Sequence, residues 1–280
     1  MTEKLNKIQT DEFEKVESPA IEQLKKLKWK YIDGKNLSPK FTKERKSFKH
    51  VVLKKTLSRS IQNINPWING ENLKTIIREF TQITNLSLIE ANQKVYQKIV
   101  KYLSVEQDLG QGRKNHTVKI IDFDNLENNE FLVTNQFKVA GLNQNIVPDI
   151  VLFVNGIPLA VIECKSPFIT DPMEAGIKQL LRYCNNRNPQ ENEGAEKLFY
   201  YNQILVSTYG KQARIGTISS RYEHYLEWKD VYPKNIENYK NNTSQEVLIE
   251  GIFNHKNFLD IIRNFIIFEV VEGRTIKKIT

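Results

Sequence analysis

Apolar residues recur at helical spacing in the first third of the chain and at strand spacing through its middle. Ile21, Leu24 and Leu27 form a short stripe behind Ser18-Pro19, which reads as an N-cap followed by proline at the first helical position. Leu73, Ile76, Ile77 and Phe80 predict one helix; Ser87-Leu88-Ile89-Glu90 is a capping box that opens another, with Ala91, Val95, Ile99 and Leu103 on its apolar face. Both faces read as core packing rather than as cofactor contacts. The first dozen residues are polar and read as frayed. Residues 31–60 read as irregular, with one strand around Phe48–Leu53.

From Thr117 the period shortens to that of strands: TVKIIDF, then FLVTNQFKVA, IVPDIVLFV and IPLAVIECK. Asn155-Gly156 between the last two is a hairpin signal, because both residues tolerate positive φ. Asp171-Pro172-x-Glu174 opens a helix running to about Cys184. After the polar stretch NNRNPQENEGAEK come strands at Gln203–Ser207 and Ala213–Ile218, then apolar segments around Val247–Phe253 and Phe258–Phe268. A hairpin followed by a helix and a further strand predicts a mixed α/β sheet flanked by helices.

Composition narrows the class. The 280 residues are 40% apolar and 26% charged, those of an ordinary globular chain. No apolar run approaches the roughly 20 residues of a membrane span; the best, Phe265–Val271, is interrupted by Glu269. Cys164 and Cys184 cannot supply a disulfide framework, and MTEKLNKIQTDE does not read as a basic-then-apolar signal peptide, so a cytoplasmic location with no membrane partner is expected. The formal charge of +8 is concentrated in residues 24–55, where twelve Lys and Arg face only Asp33 and Glu44. Such a stretch is either the footprint of a polyanion partner or a solvated lysine-rich surface.

Chemistry enters at Pro148-Asp149 and Glu163-Cys164-Lys165, three charged side chains in otherwise apolar strands. Charge in that setting must be paired or bind metal. Two neighbouring carboxylates repel unless a cation joins them, and Mg²⁺ needs only one or two carboxylates, keeping waters and taking a phosphate oxygen as further ligand. A lysine alongside can orient or help deprotonate an attacking water, as phosphodiester hydrolysis requires. A cross-strand salt bridge at a sheet edge is the plainer alternative. Register separates the two. A regular two-residue turn at Asn155-Gly156 would put Asp149 and Glu163 on opposite faces. A three-residue loop or a bulge would put Asp149, Glu163 and Lys165 on one face.

The run VPDIVLFVNGIPLAVIECKSP resembles the nuclease-domain signature of the restriction (R) subunit of type I restriction–modification enzymes. IIDFDNLENNEFLVTNQFKV before it, Gln179-x-x-x-Tyr183 after it, and ILVSTYGKQARIGTISSRYEHYLEWKD resemble the same family in order and spacing, over roughly residues 14–280. The resemblance implies a PD-(D/E)xK nuclease fold and Mg²⁺-dependent cutting of double-stranded DNA, with Mn²⁺ as a substitute. It implies Asp149 and Glu163 as metal ligands, joined by the main-chain carbonyl of Cys164, and Lys165 as the catalytic lysine. Gln179 and Tyr183 would support the site from one helix face, and an acid from the first helix would join it, Glu17 in preference to Glu22.

The family implies partners too: methyltransferase and specificity subunits, and an ATP-driven translocase. No GxxxxGK[ST] loop occurs here, so ATP is expected only in a motor region absent from this sequence. The expected layout is a flexible segment at 1–16, the nuclease domain at 17–270, and the start of a connection to the translocase at 271–280. Two other readings stay open, a catalytically silent DNA-docking or assembly module of the same fold and a repair or recombination nuclease. His50, His116, His224 and His255 show no metal-ligand spacing, and Tyr222, Tyr225, Trp228 and Tyr232 read as packing and surface aromatics.

Overall fold

The computed structural model describes residues 2–185 and 194–280. The polar stretch after Cys184 falls largely in 186–193, outside the described residues.

The N-terminal segment is helical where fraying is expected. Helix α1 (Thr2–Glu12) runs through a π-turn at Phe13–Glu17 into α2 (Ser18–Lys26). Ser18-Pro19 therefore lies inside a continuous helical path instead of opening one. Pro19 has no N–H to donate, and the widened turn, in which Ser18 N–H bonds Phe13 O, accommodates it. Strand β1 (Lys30–Asp33) follows. Phe48–Leu53 is not a strand; it is a loop leading into α3 (Lys54–Ile64). Both expected helices form, α4 (Gly70–Thr81) and α5 (Leu88–Val100), the second with its capping box. Leu103 leaves the helix and starts β2 (Leu103–Asp108), paired antiparallel with β3 (Arg113–Val118).

The middle of the chain supplies β4 (Phe131–Asn135), the short pair β5 (Val139–Ala140) and β6 (Asn145–Ile146), then β7 (Ile150–Val154) and β8 (Ile157–Cys164). Helix α6 (Pro172–Tyr183) matches its expected span, and α7 (Glu196–Phe199) precedes β9 (Ile204–Thr208), β10 (Ala213–Gly216) and β11 (Leu226–Glu227). The C-terminal part holds α8 (Ser244–Phe253), α9 (His255–Asp260), and the hairpin β12 (Ile266–Val271) and β13 (Arg274–Ile279). That hairpin replaces the end of the periodic segment read at Phe258–Phe268. Glu272 and Gly273, both at positive φ, turn the chain there.

A seven-stranded mixed sheet in the order β1-β4-β7-β8-β9-β10-β11 organises the molecule. β1 and β4 are parallel, as are β8 and β9, while the other neighbours run antiparallel. Every residue of β4, β7, β8 and β9 is buried, which is why β7 reads as an unbroken apolar run and the others as apolar runs with polar residues only toward one end. Helix α6 packs on β8 and β9, α2 packs on α8 and beside β1, and α3 packs on α4. Among the described residues no helix is long and apolar enough to cross a membrane.

The β7–β8 hairpin carries the decisive register. Its turn has two residues, Asn155 (φ 52°) and Gly156 (φ 79°), with Val154 opposite Ile157 and Phe153 opposite Pro158. Pro158 has no N–H for the ladder, and pairing resumes one residue late, with Leu152 opposite Ala160. Leu159 is the extra residue of a β-bulge. Beyond it Ile150 faces Ile162, so the next pair outward is Asp149 with Glu163. The turn alone would have separated the two acids, and the bulge restores them to one face.

Candidate active site

Asp149 immediately precedes β7, Glu163 lies near the end of β8, and Lys165 follows two residues on, where alternation returns it to the same face. Glu163 is fully buried, and Asp149 and Lys165 nearly so. Lys165 Nζ donates to Glu163 Oε1 at 2.8 Å and to the Cys164 carbonyl at 2.6 Å, and lies 3.9 Å from Asp149 Oδ2. Asp149 Oδ2 accepts the Cys164 main-chain N–H at 2.8 Å. The Cys164 thiol is free and buried; only its backbone takes part. The second oxygen of Glu163, Oε2, is buried without a hydrogen-bond partner among the described residues.

Helix α1 and the π-turn bring two more carboxylates. Glu17 is buried, its Oε1 accepting from Asn135 Nδ2 at 2.9 Å and its Oε2 from Gln136 Nε2 at 3.1 Å. The same Gln136 amide donates to Asp149 Oδ1 at 3.2 Å, so one NH₂ group joins the two acids. Gln136 has φ 48°, and its own N–H bonds Asp149 O at 2.8 Å, which ties the exit of β4 to the entry of β7. Glu12 Oε2 accepts the Ser166 N–H at 3.0 Å and lies 3.9 Å from Lys165 Nζ. Glu22, the other candidate from the first helix, is exposed and paired with Lys25 at 2.7 Å, away from the cluster.

Three carboxyl groups, those of Glu12, Asp149 and Glu163, thus lie within 3.9 Å of one ammonium, and Glu17 adjoins them through Gln136. Burial, and for Glu163 also the charge of Asp149, pushes Asp149 up and Glu163 well up from the ordinary carboxylate range. Burial raises Glu12 as well, and lifts Glu17 to about 7 against the hydrogen bonds from Asn135 and Gln136. Burial also works against a charged Lys165, but Glu163, Asp149 and Glu12 outweigh it and hold the ammonium above its usual pKa. Among the described residues no three His, Cys, Asp or Glu side chains converge as a ready-made metal cage. Lys165 occupies the space between the two strand acids instead.

Helix α6 closes one side. Gln179 Nε2 donates to Tyr183 OH at 2.7 Å, and Tyr183 is buried, its phenol pushed up by burial and then by the charge of Glu163. The close approach needs Gly176: a Cβ there would stand 2.2 Å from Ser207 Oγ, and Ser207 is the β9 partner of Glu163. All the expected site residues except Glu22 are therefore brought to this region. Sequence reasoning missed Glu12, Asn135 and Gln136. Glu12 and Glu17 lie five apart, a spacing that separates side chains on an α-helix, and only the π-turn lets both reach the cluster.

The basic segment is not uniform. Arg45 is buried, its guanidinium spent on the carbonyls of His50 (2.6 Å), Phe48 (3.2 Å) and Lys138 (2.8 Å) and lying 4.1 Å from the Phe137 ring centre. It braces a loop and is not free to meet a polyanion, whereas Lys43 and Lys46 are exposed.

Comparison with known proteins agrees with this architecture. The family described as type I restriction enzyme R protein N terminus matches residues 9–224. The type I restriction enzyme HindI endonuclease subunit of Haemophilus influenzae is 31% identical over 94% of this chain and 25% of its own length. A Methanocaldococcus jannaschii protein, named as the MjaIXP endonuclease subunit of a type I restriction enzyme, is 30% identical over 91% of this chain and 25% of its own length. A second protein of that organism, named for MjaVIIIP, is 29% identical over 88% of this chain. The chain spans about a quarter of the length of the first two. It belongs to the family of type I restriction enzyme R protein N termini.

Proposed function

We propose that this chain is the DNA-cutting domain of a type I restriction enzyme, hydrolysing phosphodiester bonds in double-stranded DNA with Mg²⁺, for which Mn²⁺ substitutes. The observation that carries the reading is the bulge at Leu159, which sets Asp149, Glu163 and Lys165 on one face. A cross-strand salt bridge has no use for a second and third carboxylate around the same lysine.

The donor set fits a divalent cation. Among the described residues Glu163 Oε2 is buried and unpartnered, and the carboxyl groups outnumber the positive charge beside them. Asp149, Glu163 and the Cys164 carbonyl would hold the ion, two carboxylates and one neutral oxygen being a set Mg²⁺ accepts with waters completing its shell. When bound, it supplies positive charge at the scissile phosphate and acidifies a water. Lys165 stays protonated among its acids, so it orients the attacking water and offsets charge on the phosphate rather than accepting a proton. Glu17 acts through Gln136, whose amide fixes the Asp149 carboxylate. Tyr183, accepting from Gln179, keeps its own proton to donate.

In the whole protein, cutting would be coupled to ATP-driven translocation by a motor outside this sequence, with methyltransferase and specificity subunits as partners. Circular DNA incubated with the reconstituted complex, ATP and Mg²⁺ tests the assignment. Asp149→Asn and Lys165→Met should abolish cutting while DNA binding and translocation persist. Full cutting by both folded variants would make the cluster structural and favour a silent docking module.

A further inference from the structure

Away from the carboxylate cluster, a cavity of about 390 Å³ lies between the loop 47–54, the C-terminal end of α4 and the segment 197–201. Lys49, His50, Lys54 and Lys197 line it, and no Asp or Glu is among its described lining residues. None of the three lysines makes an ion pair among the described residues. Burial first, and then the charges of Lys54, Arg45 and Lys197, lower the pKa of His50, so these three cations lie close enough to act on its ring.

Gathering like charges costs free energy, and this fold fixes the main chain that carries them. The buried Arg45 fastens the loop through the Phe48 and His50 carbonyls, on either side of Lys49. Glu44 accepts the N–H groups of Lys55 and Thr56 at 2.8 and 3.1 Å, and so occupies the start of α3 without lining the cavity. Lys54 is the first residue of α3, so its place in the chain is set by that helix. Lys197 arrives from α7, a distant part of the chain, so the convergence does not arise from one run of basic sequence.

We propose that this cavity binds a phosphate group, carried either by a nucleic-acid backbone or by a small polyphosphate, at a site separate from the nuclease cluster. None of its lining residues belongs to that cluster, so the inference stands whether or not the cleavage reading holds. Three exposed lysines around an open hollow, with no acid among its described lining residues, supply the positive potential that phosphate oxygens seek.

The test measures two probes on the full chain in EDTA: a fluorescent 20-base-pair duplex by anisotropy and inorganic tripolyphosphate by calorimetry. Lys49→Glu/Lys197→Glu should weaken at least one probe tenfold or more. Lys229→Glu/Lys256→Glu, the same charge change at exposed lysines elsewhere, should change it less than twofold. A response of the duplex assigns the site to backbone phosphate, and a response of tripolyphosphate alone assigns it to a small ligand. Three results overturn the proposal: neither probe binding the unaltered chain at millimolar concentration, both binding the cavity variant within twofold of it, or an equal loss in the control pair. Near-ultraviolet circular dichroism checks folding, and Lys49→Gln/Lys197→Gln makes the same comparison should the glutamates disturb it.

Discussion

Asp149 Oδ2 accepts the main-chain N–H of Cys164 at 2.8 Å, so the carboxylate of one strand is fastened to the backbone of the next, one residue past Glu163. The bond uses an oxygen that faces Lys165 and leaves Oδ1 to Gln136. The two strand acids are thereby held together despite their repulsion, with Lys165 as the compensating charge.

That balance makes opposite stability effects measurable in metal-free buffer. Lys165→Met strands buried carboxylates and should cost about 3–5 kcal/mol. Glu163→Gln removes the most deeply buried acid and should leave stability unchanged or raise it. Urea unfolding in EDTA reads both, and equal destabilisation by the two would show that the cluster is not under electrostatic strain.

Divalent cation should stabilise the unaltered chain. With Mg²⁺ or Mn²⁺ at a hundredfold its dissociation constant, the gain is about 2.7 kcal/mol, seen as a rise in Tm. Asp149→Asn and Glu163→Gln should lose that rise, while Glu22→Gln, remote from the cluster, should keep it.

His255 provides a pH signature unrelated to cutting. Its ring is stacked on Phe131 with centroids 3.6 Å apart, and its Nε2 has no partner among the described residues. Burial lowers its pKa to about 4. The unfolded chain therefore takes up a proton near pH 6.5 that the folded chain refuses. The stability held by the neutral ring is complete above about 6.5 and is lost as the pH falls toward 4. After discounting for solvent screening the loss is about 1–2 kcal/mol. His255→Phe should flatten this part of the pH–stability curve, and an unchanged slope in that variant would refute the assignment.

Charge reversal within the basic segment should separate two roles. Lys43→Glu and Lys46→Glu should each weaken DNA association and reduce the log–log salt slope by about 0.9 if each touches a phosphate. Arg45→Ala should instead destabilise the fold by about 1–3 kcal/mol for each carbonyl left unpaired and buried. Salt titrations and thermal melts of the same three variants decide between them.

How much of this was legible in the sequence depends on the range of the interactions involved. Helices α4, α5 and α6 are set by local stripes and caps, and the reading found each of them within a few residues. The buried strands β7 and β8 announced themselves as apolar runs, and the charged interruptions in them marked the cluster. Other elements depend on distant partners. β1 gains its place only by pairing with β4, about a hundred residues later, and Gly34 at its end meets the Asn135 carbonyl so closely that a Cβ would stand 1.9 Å away. The bulge was stated only as a requirement, although Pro158, a residue that sheets tolerate at bulges, was its local signal. Glu12 was hidden because a π-turn breaks the 3.6-residue period on which helical faces are read. Arg45 looked like its lysine neighbours, since burial against three carbonyls leaves no trace in a charge count.

Lys277 of β13 shows how load passes through the molecule. Its ammonium is buried and spends its donors on three neutral oxygens: Asn92 Oδ1 at 2.9 Å, Asn202 O at 3.1 Å and Gln203 Oε1 at 2.6 Å. Asn92, on α5, in turn holds the carbonyls of Phe199 and Asn202. Tension applied to β13 therefore reaches the root of β9 through one side chain, and β9 lies parallel to the strand that carries Glu163. The C-terminal hairpin is thereby coupled to the strands that carry the carboxylate cluster as a lever is to its pivot, although it forms a sheet of its own.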